Sequence, residues 1–177
     1  MTRAASTSPY IVVQRRNVKA VVQRVSGARA RVGERIAGEI GPGLCILLGV
    51  ARGDDQSDAE RLAAKVAHLR IFDNEDGRFD RSLLDTGGEA LVVSQFTLLA
   101  DTAKGNRPSF TDAAPPGEGE PLYETFCAAL RALDISVATG EFGARMAVEL
   151  VNDGPVTIVL EGGRPRSREA EAAEEDR

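Results

Sequence analysis

The sequence has few of the residue types that commonly carry acid–base or metal chemistry. It contains one histidine, His68, and two cysteines in 177 residues. A Ser–His–Asp triad is excluded, because nothing around His68 supplies the partner pattern of a catalytic histidine. We expect His68 to have a surface or half-buried role. A zinc site would need unusual ligands in this chain, so we predict no metal.

Phosphate-binding and basic signatures are also absent. The chain has no glycine-rich loop of the P-loop type and no closely spaced pair of carboxylates in a clear site. Its formal net charge is −5. This charge argues against a generally basic nucleic-acid-binding protein, but it allows a local basic lip beside a small site. We predict no cofactor.

Long apolar runs are missing as well. No run approaches the roughly 20 residues of a membrane span, and no stretch near the N-terminus resembles a signal peptide. A cytoplasmic location is therefore the expectation. Cys45 lies in an apolar strand pattern and Cys127 in an amphipathic helix pattern, which predicts two buried thiols rather than a disulfide or a metal pair.

The remaining composition is that of one globular domain. A length of 177 residues is enough to bury a core. Residues 1–17 have little apolar periodicity and should form a loose N-terminal extension. Residues 162–177 are rich in Arg, Glu and Ala, which predicts a disordered charged tail. The folded domain should span residues 18–161.

Hydrophobic periodicity predicts many strands and two helices. The first helix should begin with a capping box formed by Ser57 and Glu60 and run to about Arg70. A loop is expected at 113–121, followed by a second amphipathic helix from Leu122 to Leu133. Strands are predicted at 19–26, 28–33, 34–40, 44–50, from 91 onward, and at 135–138, 147–151 and 156–160. This pattern indicates an α+β fold with antiparallel or mixed β-sheets and two main helices.

The stretch from Leu91 onward changes character along its length. Leu91 to Val93 is a continuous apolar run, typical of a strand covered on both faces. Ser94, Gln95 and Thr97 then place hydroxyls and an amide where a core strand would carry apolar groups. Buried polar groups cost free energy unless they are paired. The strand end is therefore either a hydrogen-bonded turn or a site.

Two loops are further candidates. Lys104 and Arg107 lie in a segment shaped by glycine and proline, and they form either a solvated loop or a clamp for an anionic group. Residues 152–155, Asn-Asp-Gly-Pro, predict a sharp turn between two strands. That turn is either an ordinary hairpin or a site, since a cis Gly154–Pro155 bond would point neighbouring carbonyls toward an ammonium group.

Without histidine or a metal, ester hydrolysis remains possible if backbone N–H groups polarise the carbonyl and the substrate supplies the base. Six segments in chain order give the sequence a specific resemblance to the D-aminoacyl-tRNA deacylase family. They are KAVVQRVS at 19–26, LRIF at 69–72, VSQFTL at 93–98, KGNRPSF at 104–110, FGARM at 142–146 and VNDGPVT at 151–157.

The resemblance implies a homodimer that hydrolyses the ester between a D-amino acid and the terminal adenosine of tRNA, with glycyl-tRNA as a further substrate. Ser94, Gln95, Phe96 and Thr97 would line the catalytic pocket, and the Phe96 N–H would polarise the carbonyl. The adenosine 2′-hydroxyl would move the proton. Thr97 as a covalent nucleophile is the weaker mechanism, because no base lies near it in sequence.

The same resemblance assigns substrate-binding and chiral-selection roles. Gly154 and Pro155, joined by a cis bond, would reach into the partner subunit's pocket and leave no room for an L side chain. Asn152 belongs to the same motif, Arg24 would brace that turn, and Met146 would border the pocket.

Lys104 and Arg107 are the expected tRNA contacts. A non-catalytic nucleic-acid-binding module using these two residues is the alternative function, and a Thr97-dependent hydrolase of small esters is a third.

Three features depart from the family pattern. Asp80 and Arg145 stand where relatives usually have other residues, and Arg145 places a cation beside Met146. Relatives begin with Met at the position of Val18. Residues 1–17 are therefore a candidate for a misassigned start, a hypothesis that native protein beginning at Met1 in mass spectrometry would refute.

Overall fold

The computed structural model describes residues 17–162. The predictions of a loose segment over residues 1–16 and of a disordered tail over residues 163–177 lie outside the described residues. Gly162, expected in the tail, is instead the last residue of a strand.

The described chain contains eight strands, three α-helices and a short 3₁₀ helix. The strands are β1 Val18–Val32, β2 Arg35–Ile40, β3 Gly43–Gly49, β4 Phe72–Asp73, β5 Phe79–Arg81, β6 Glu89–Ser94, β7 Val137–Thr139 and β8 Ala147–Gly162. The helices are α1 Gln56–Ala67, α2 Leu83–Thr86, α3 Pro116–Arg131 and the 3₁₀ helix Phe96–Leu99. The predicted α+β class with two main helices, α1 and α3, is confirmed, and α2 adds one short turn.

Six strands form one mixed sheet. The order is β2-β1-β3-β6-β7, and β8 pairs with β1. β1 runs antiparallel to β2, β3 and β8, whereas β6 runs parallel to both β3 and β7. β4 and β5 form a separate antiparallel hairpin. The parallel pairing places Ser94, at the end of β6, beside Leu48 of β3.

Apolar clusters cover both faces of the central strands. On the helix side, Ile46 and Val92 pack in one cluster with Phe126 of α3. On the other side, Cys45 and Leu91 belong to a second cluster with Val93 and half-buried residues of β8. Neighbours along β6 thus alternate between two buried faces, as the continuous apolar run predicts. Cys45 and Cys127 are both buried free thiols, which confirms that prediction.

Both helices start earlier than predicted. The capping box of α1 joins Asp55 to Asp58, each side chain accepting from the other's backbone N–H at 3.0 Å, so the box expected at Ser57 is wrong. The acidic pair supplies the same reciprocal bonds two residues upstream. α1 ends at Ala67 rather than near Arg70, and exposed His68 follows it, as expected for a surface role.

α3 begins at Pro116, so the loop expected at 113–121 is wrong over its second half. A proline suits the first helical position, because its missing N–H has no helical partner there. Pro121 lies inside the helix, and Gly119 and Tyr123 on either side of it are buried. The Gly119 N–H donates to the Pro115 carbonyl at 2.8 Å, so the first turn is closed as a helix despite a composition typical of a loop.

The predicted hairpin at 152–155 is also wrong. β8 is one strand, and both of its halves run antiparallel to β1. Gln23 pairs with Thr157 and Val25 with Asn152, so four residues of β8, from Asp153 to Val156, stand opposite Arg24 alone. The segment is an enlarged β-bulge rather than a chain reversal. β1 is likewise one strand, where the sequence pattern suggested a break near Ser26.

No helix in residues 17–162 is both long and apolar enough to cross a membrane.

Candidate functional site

The polar end of β6 becomes a tight turn. Ser94 is the last strand residue, and Gln95 leads into the 3₁₀ helix Phe96–Leu99. The Gln95 N–H donates to the Leu48 carbonyl at 2.7 Å, which ties the turn to β3. The N–H groups of Phe96 and Thr97 open the 3₁₀ helix, where backbone donors have no intrahelical acceptor. The turn therefore presents free donors at the sheet edge.

Side chains of this turn interact with each other. The Gln95 amide donates to the Thr97 hydroxyl at 2.5 Å. The Phe96 ring is 55% exposed and meets the Phe110 ring edge-to-face, with 5.1 Å between centroids. Exposure of a large aromatic ring beside polar groups is typical of a binding surface rather than a core.

A pocket of about 610 Å³ opens at this turn. Its polar floor comes from the end of β6, and most of its wall is apolar. The lining residues are Arg52, Val93, Ser94, Gln95, Phe96, Phe110, Ala113, Ala114, Pro115, Pro116, Phe142, Gly143, Ala144, Met146 and Val148. An apolar cavity with a few convergent polar groups is the usual form of a small-ligand site.

Met146 reaches the pocket because of a glycine. A Cβ on Gly140 would lie 2.6 Å from the Met146 sulfur, so a larger residue there would displace that side chain from its present position. The Glu141 N–H donates to the same sulfur at 3.3 Å. The sequence FGARM at 142–146 thus forms a turn that brings Met146 beside Val93 and the strand end.

A second cluster lies at the bulge of β8. The Gly154–Pro155 peptide bond is cis. The side-chain carbonyl oxygen of Asn152 accepts from the Val156 N–H at 2.8 Å, and its amide donates to the Thr157 hydroxyl at 3.0 Å. Gly154 has φ +138°, and a Cβ there would lie 2.7 Å from the Val156 side chain. These bonds fix the shape of the bulge.

Arg24 supports this bulge from β1. Its Nε donates to the Asp153 carbonyl at 2.9 Å and its Nη1 to the Ile71 carbonyl at 2.8 Å. The guanidinium also lies 3.3 Å from the Asp73 carboxylate and over the Phe79 ring, 5.5 Å from its centroid. One buried cation therefore links β1, the bulge and the β4–β5 hairpin.

The predicted site residues thus fall into separate groups. Ser94, Gln95, Phe96 and Met146 line one pocket, and Thr97 contacts Gln95 beside it. Arg24, Asn152, Gly154 and Pro155 share the bulge, and none of these four lines the chain's own pocket.

Lys104 and Arg107 are exposed on a loop closed by two 2.8 Å backbone hydrogen bonds between Asp101 and Ser109. They do not line the pocket either.

Sequence reasoning missed several pocket residues. Arg52 follows β3, and Pro115 and Pro116 precede and begin α3. Phe110 and Phe142 lay within recognised motifs, but nothing local distinguished an aromatic wall from a core ring. The proline pair after an apolar Ala-Ala step was the one usable signal, since it marks a helix start.

The two cysteines are buried and do not line the pocket, which argues against thiol chemistry there. Burial raises the pKa of the Cys45 thiol to about 11 and that of Cys127 to about 11, so neither is ionised near neutrality. No cluster of residues suited to holding a metal ion occurs within residues 17–162. The pocket offers instead a carboxamide, hydroxyls and backbone N–H donors, which can polarise a carbonyl.

The departures from the family pattern lie on the surface. Asp80 accepts from Arg70, whose Nε also donates to the Asp80 carbonyl at 2.7 Å. Arg145 is exposed next to Met146 and is not among the lining residues.

The mixed sheet, its two covering helices and the polar strand end in an apolar pocket define an α+β protein with a candidate ester-hydrolysing site. A family model described as D-Tyr-tRNA(Tyr) deacylase matches residues 21–161. The chain belongs to this family of ester hydrolases, which confirms the family resemblance predicted from the six motifs.

Curated relatives carry names that agree with this family. A D-aminoacyl-tRNA deacylase of Roseiflexus sp. (strain RS-1) is 61% identical over 144 residues, covering 81% of this chain and 93% of the relative. A D-aminoacyl-tRNA deacylase of Dinoroseobacter shibae is 57% identical over 145 residues, covering 82% of this chain and 100% of the relative.

Two solved structures share the fold. One, named c-Myc DNA Unwinding Element Binding Protein, is 42% identical with a TM-score of 0.75, covering 80% of this chain and 97% of that one. The other, described as a probable eukaryotic D-amino acid tRNA deacylase, is 17% identical with a TM-score of 0.70, covering 82% and 99%. The second likeness concerns the fold alone.

Proposed function

We propose that this protein hydrolyses the ester bond of D-aminoacyl-tRNA, releasing free D-amino acid and tRNA. The observation that carries the proposal is the open N-terminal end of the 3₁₀ helix at Phe96, which presents backbone donors at a pocket lined by Ser94 and Gln95. Donors fixed in this way stabilise the oxyanion that forms when a carbonyl is attacked.

The reaction needs no protein base. A water molecule attacks the ester carbonyl, the Phe96 N–H holds the developing negative charge, and the bond to the ribose 3′-oxygen breaks. The adenosine 2′-hydroxyl passes the water's proton to that leaving oxygen. The Thr97 hydroxyl accepts from Gln95, an amide that cannot act as its base, so direct attack by Thr97 is disfavoured.

Selection against L-amino acids would come from Gly154 and Pro155 of a second subunit. Both residues are exposed on the bulge, and they do not line their own chain's pocket. Their carbonyls would accept from the substrate's α-ammonium group, while their backbone excludes an L side chain. Exclusion of this kind suits an enzyme that must reject an abundant competitor. Glycyl-tRNA, which has no side chain to exclude, would also be hydrolysed.

The outer strand β8 supports a homodimer. Within residues 17–162 it pairs only with β1, so its other edge is open along 16 residues. Val151 and Val159 on this strand are 64% and 68% exposed. Long apolar edge strands usually have a partner, because they otherwise promote aggregation. Two copies joined here could exchange their bulges symmetrically.

The remaining contacts would be to tRNA outside the pocket. Lys104 and Arg107 are exposed cations on one loop, suited to phosphate groups. A cytoplasmic location belongs to the same proposal, since charged tRNA is used there by ribosomes.

The direct test is incubation of the purified protein with D-Tyr-tRNA, L-Tyr-tRNA and Gly-tRNA. We expect prompt release from the D form and from glycine, and none from the L form. Binding without release from any of them would contradict the proposal.

Replacement of Pro155 by Ala tests the proposed selection against L-amino acids. The variant should hydrolyse L-Tyr-tRNA measurably, because Ala lacks the ring that fixes the backbone here, and the main-chain atoms that exclude an L side chain are then held less firmly. Ser26→Ala, an exposed change on β1, serves as a control. An unchanged D/L ratio in the Pro155 variant would remove the role of the bulge.

A nucleic-acid-binding module is the second candidate. It is favoured by the likeness to the 42% identical solved structure, whose name is that of a DNA-element-binding protein. The net charge of −5 argues against it. A Thr97-dependent esterase is the third. Loss of turnover in Thr97→Ala with intact folding would favour that mechanism.

A further inference from the structure

The pocket contains one charged side chain that the proposed reaction does not use. Among its lining residues in the described part of the chain, only Arg52 carries a charge. It follows β3 at the pocket rim and is exposed to solvent. An arginine at the edge of an otherwise uncharged cavity suggests recognition of an anionic group on the ligand.

Arg52 is held in place by the segment that precedes α3. Its Nε donates to the Thr111 carbonyl at 2.7 Å, and its backbone N–H donates to the Asp112 carbonyl at 2.8 Å. Next to it, buried Ala51 forms a β-bridge with buried Ala113. These bonds anchor the base of the guanidinium and use one of its five N–H groups. The others remain for a ligand.

Nearby acids have other partners. None of the ion pairs found in residues 17–162 includes Arg52. Asp54 accepts from the Ala51 N–H at 2.6 Å, and Asp55 caps α1. Asp112 is exposed and contacts Arg52 through its backbone carbonyl. The positive charge at the rim is therefore not neutralised by a direct ion pair.

We infer that Arg52 binds the phosphate that joins the terminal adenosine to the preceding nucleotide. This inference rests on the proposed function. The aminoacyl ester and its nucleoside would fill the uncharged pocket, and the nearest negative charge on such a substrate is this 5′-phosphate. Lys104 and Arg107 do not line the pocket, so they would contact phosphates farther along the chain. Arg52 would thus favour an ester whose adenosine carries a 5′-phosphate over an ester of the free nucleoside.

The test compares two minimal substrates. One is D-tyrosyl adenosine, and the other is the same ester carrying a 5′-methylphosphate. Wild-type protein should hydrolyse the phosphorylated ester with a kcat/KM about tenfold higher, the size expected for one charge-assisted contact. Arg52→Ala should hydrolyse both esters equally, at the rate of the unphosphorylated one. Arg52→Lys should retain part of the preference.

Full-length D-Tyr-tRNA and a matched variant complete the design. Arg52→Ala should lower kcat/KM on the tRNA about tenfold. Arg78→Ala, at an exposed arginine that does not line the pocket, should leave the preference between the two minimal esters intact. Equal wild-type rates on both esters, or an Arg52→Ala variant with unchanged kcat/KM on every substrate, would overturn the inference. If wild-type protein hydrolyses none of the three substrates, the proposed function itself fails.

Discussion

Arg24 shows how one residue can define the geometry of a distant segment. Its side chain is only 9% exposed, yet it donates to two backbone carbonyls and contacts the Asp73 carboxylate. Burial of a cation is costly unless it is paired and hydrogen-bonded, and these contacts offset that cost. The bulge of β8 and the β4–β5 hairpin therefore depend on the same guanidinium.

Replacing Arg24 with Met should lower the free energy of unfolding by about 2–4 kcal/mol, because the Asp153 and Ile71 carbonyls lose their donor inside the protein. Urea denaturation measures this change. Arg29→Met is the matched control on the same strand. Its side chain is 44% exposed in an ion pair with Glu149, so the loss should stay below about 1 kcal/mol. Similar losses in both variants would contradict a structural role specific to Arg24.

Asp54 should make stability depend on pH. Burial raises its pKa to about 6, above the ordinary value for Asp. The folded state therefore binds the proton more tightly than the unfolded state. The stabilisation is full below about pH 4 and is lost as pH rises through about 6.

Because Asp54 is partly solvated, we expect this loss to be about 1–2 kcal/mol. Chemical denaturation at several pH values should show that the free energy of unfolding falls as pH rises through about 6, and that this fall is smaller in Asp54→Asn. An identical pH profile in the variant would assign the effect to other groups.

Individual site residues differed in how visible they were in the sequence. Ser94 and Gln95 were predictable because polar groups directly follow a buried apolar run. Arg52 was not, since an exposed arginine between a strand and a helix is common on any surface. Its position at the pocket depends on the pairing of Ala51 with Ala113, a contact distant in sequence.

At the scale of elements, the turn between β7 and β8 sets the width of the pocket. Gly140→Ala would place a methyl group 2.6 Å from the Met146 sulfur. The flexible side chain must then move within the pocket it lines, and kcat/KM on D-Tyr-tRNA should fall about tenfold.

Gly117→Ala is the control, because a Cβ there meets nothing within 4 Å. In a protein that already carries Met146→Ala, Gly140→Ala should lower kcat/KM by less than it does in the wild-type protein, because the contact with the sulfur is already absent. Strict additivity of the two changes would argue against this contact.

The loop between Asp101 and Ser109 should contribute to tRNA affinity through charge. Replacing Lys104 and Arg107 together with Ala should weaken binding and lower the slope of log K against log salt by about 1 for each side chain. Filter binding of uncharged tRNA across a salt series measures the slope. Hydrolysis of D-tyrosyl adenosine should not change, since neither residue lines the pocket. An unaltered salt slope would exclude the loop from the interface.

Elements with local signals were predicted better than those fixed by pairing. α1, β3 and β6 lie within about three residues of the positions that apolar periodicity predicts. The hairpin expected at residues 152–155 was wrong because Gly-Pro signals a turn locally, while the pairing of β8 with β1 on both sides of Arg24 keeps the chain running straight. The helix start at Pro116 depends in the same way on what α3 packs against.

At the scale of the whole molecule, the open edge of β8 predicts assembly. Val159→Glu places a charge on a 68% exposed residue of that strand and, if the proposed dimer forms through this edge, should convert it to a monomer. D-Tyr-tRNA hydrolysis should fall in parallel, because each pocket would lose the partner's bulge. Light scattering after size-exclusion chromatography measures the mass. Ala64→Glu, on the exposed face of α1, is the control. A fully active Val159→Glu monomer would refute the shared site.

The fold class was predictable as a whole, whereas the proposed homodimer was expected only from the family resemblance. Periodicity identified strands and two helices, but it carried no information on which strand forms the edge of the sheet. That β8 lies outside β1 follows from a pairing across more than a hundred residues, as between Val18 and Gly162. Local patterns do not encode such contacts.

Burial of both thiols has a practical consequence. The only cysteines, Cys45 and Cys127, are 0% and 2% exposed, and burial raises the pKa of each thiol to about 11, so alkylating reagents should react slowly with them in the folded protein. The folded protein should therefore react little with maleimide labels. A single cysteine introduced on the β8 bulge should therefore be labelled selectively, and a fluorophore pair attached there would measure the distance between the two bulges of the proposed dimer.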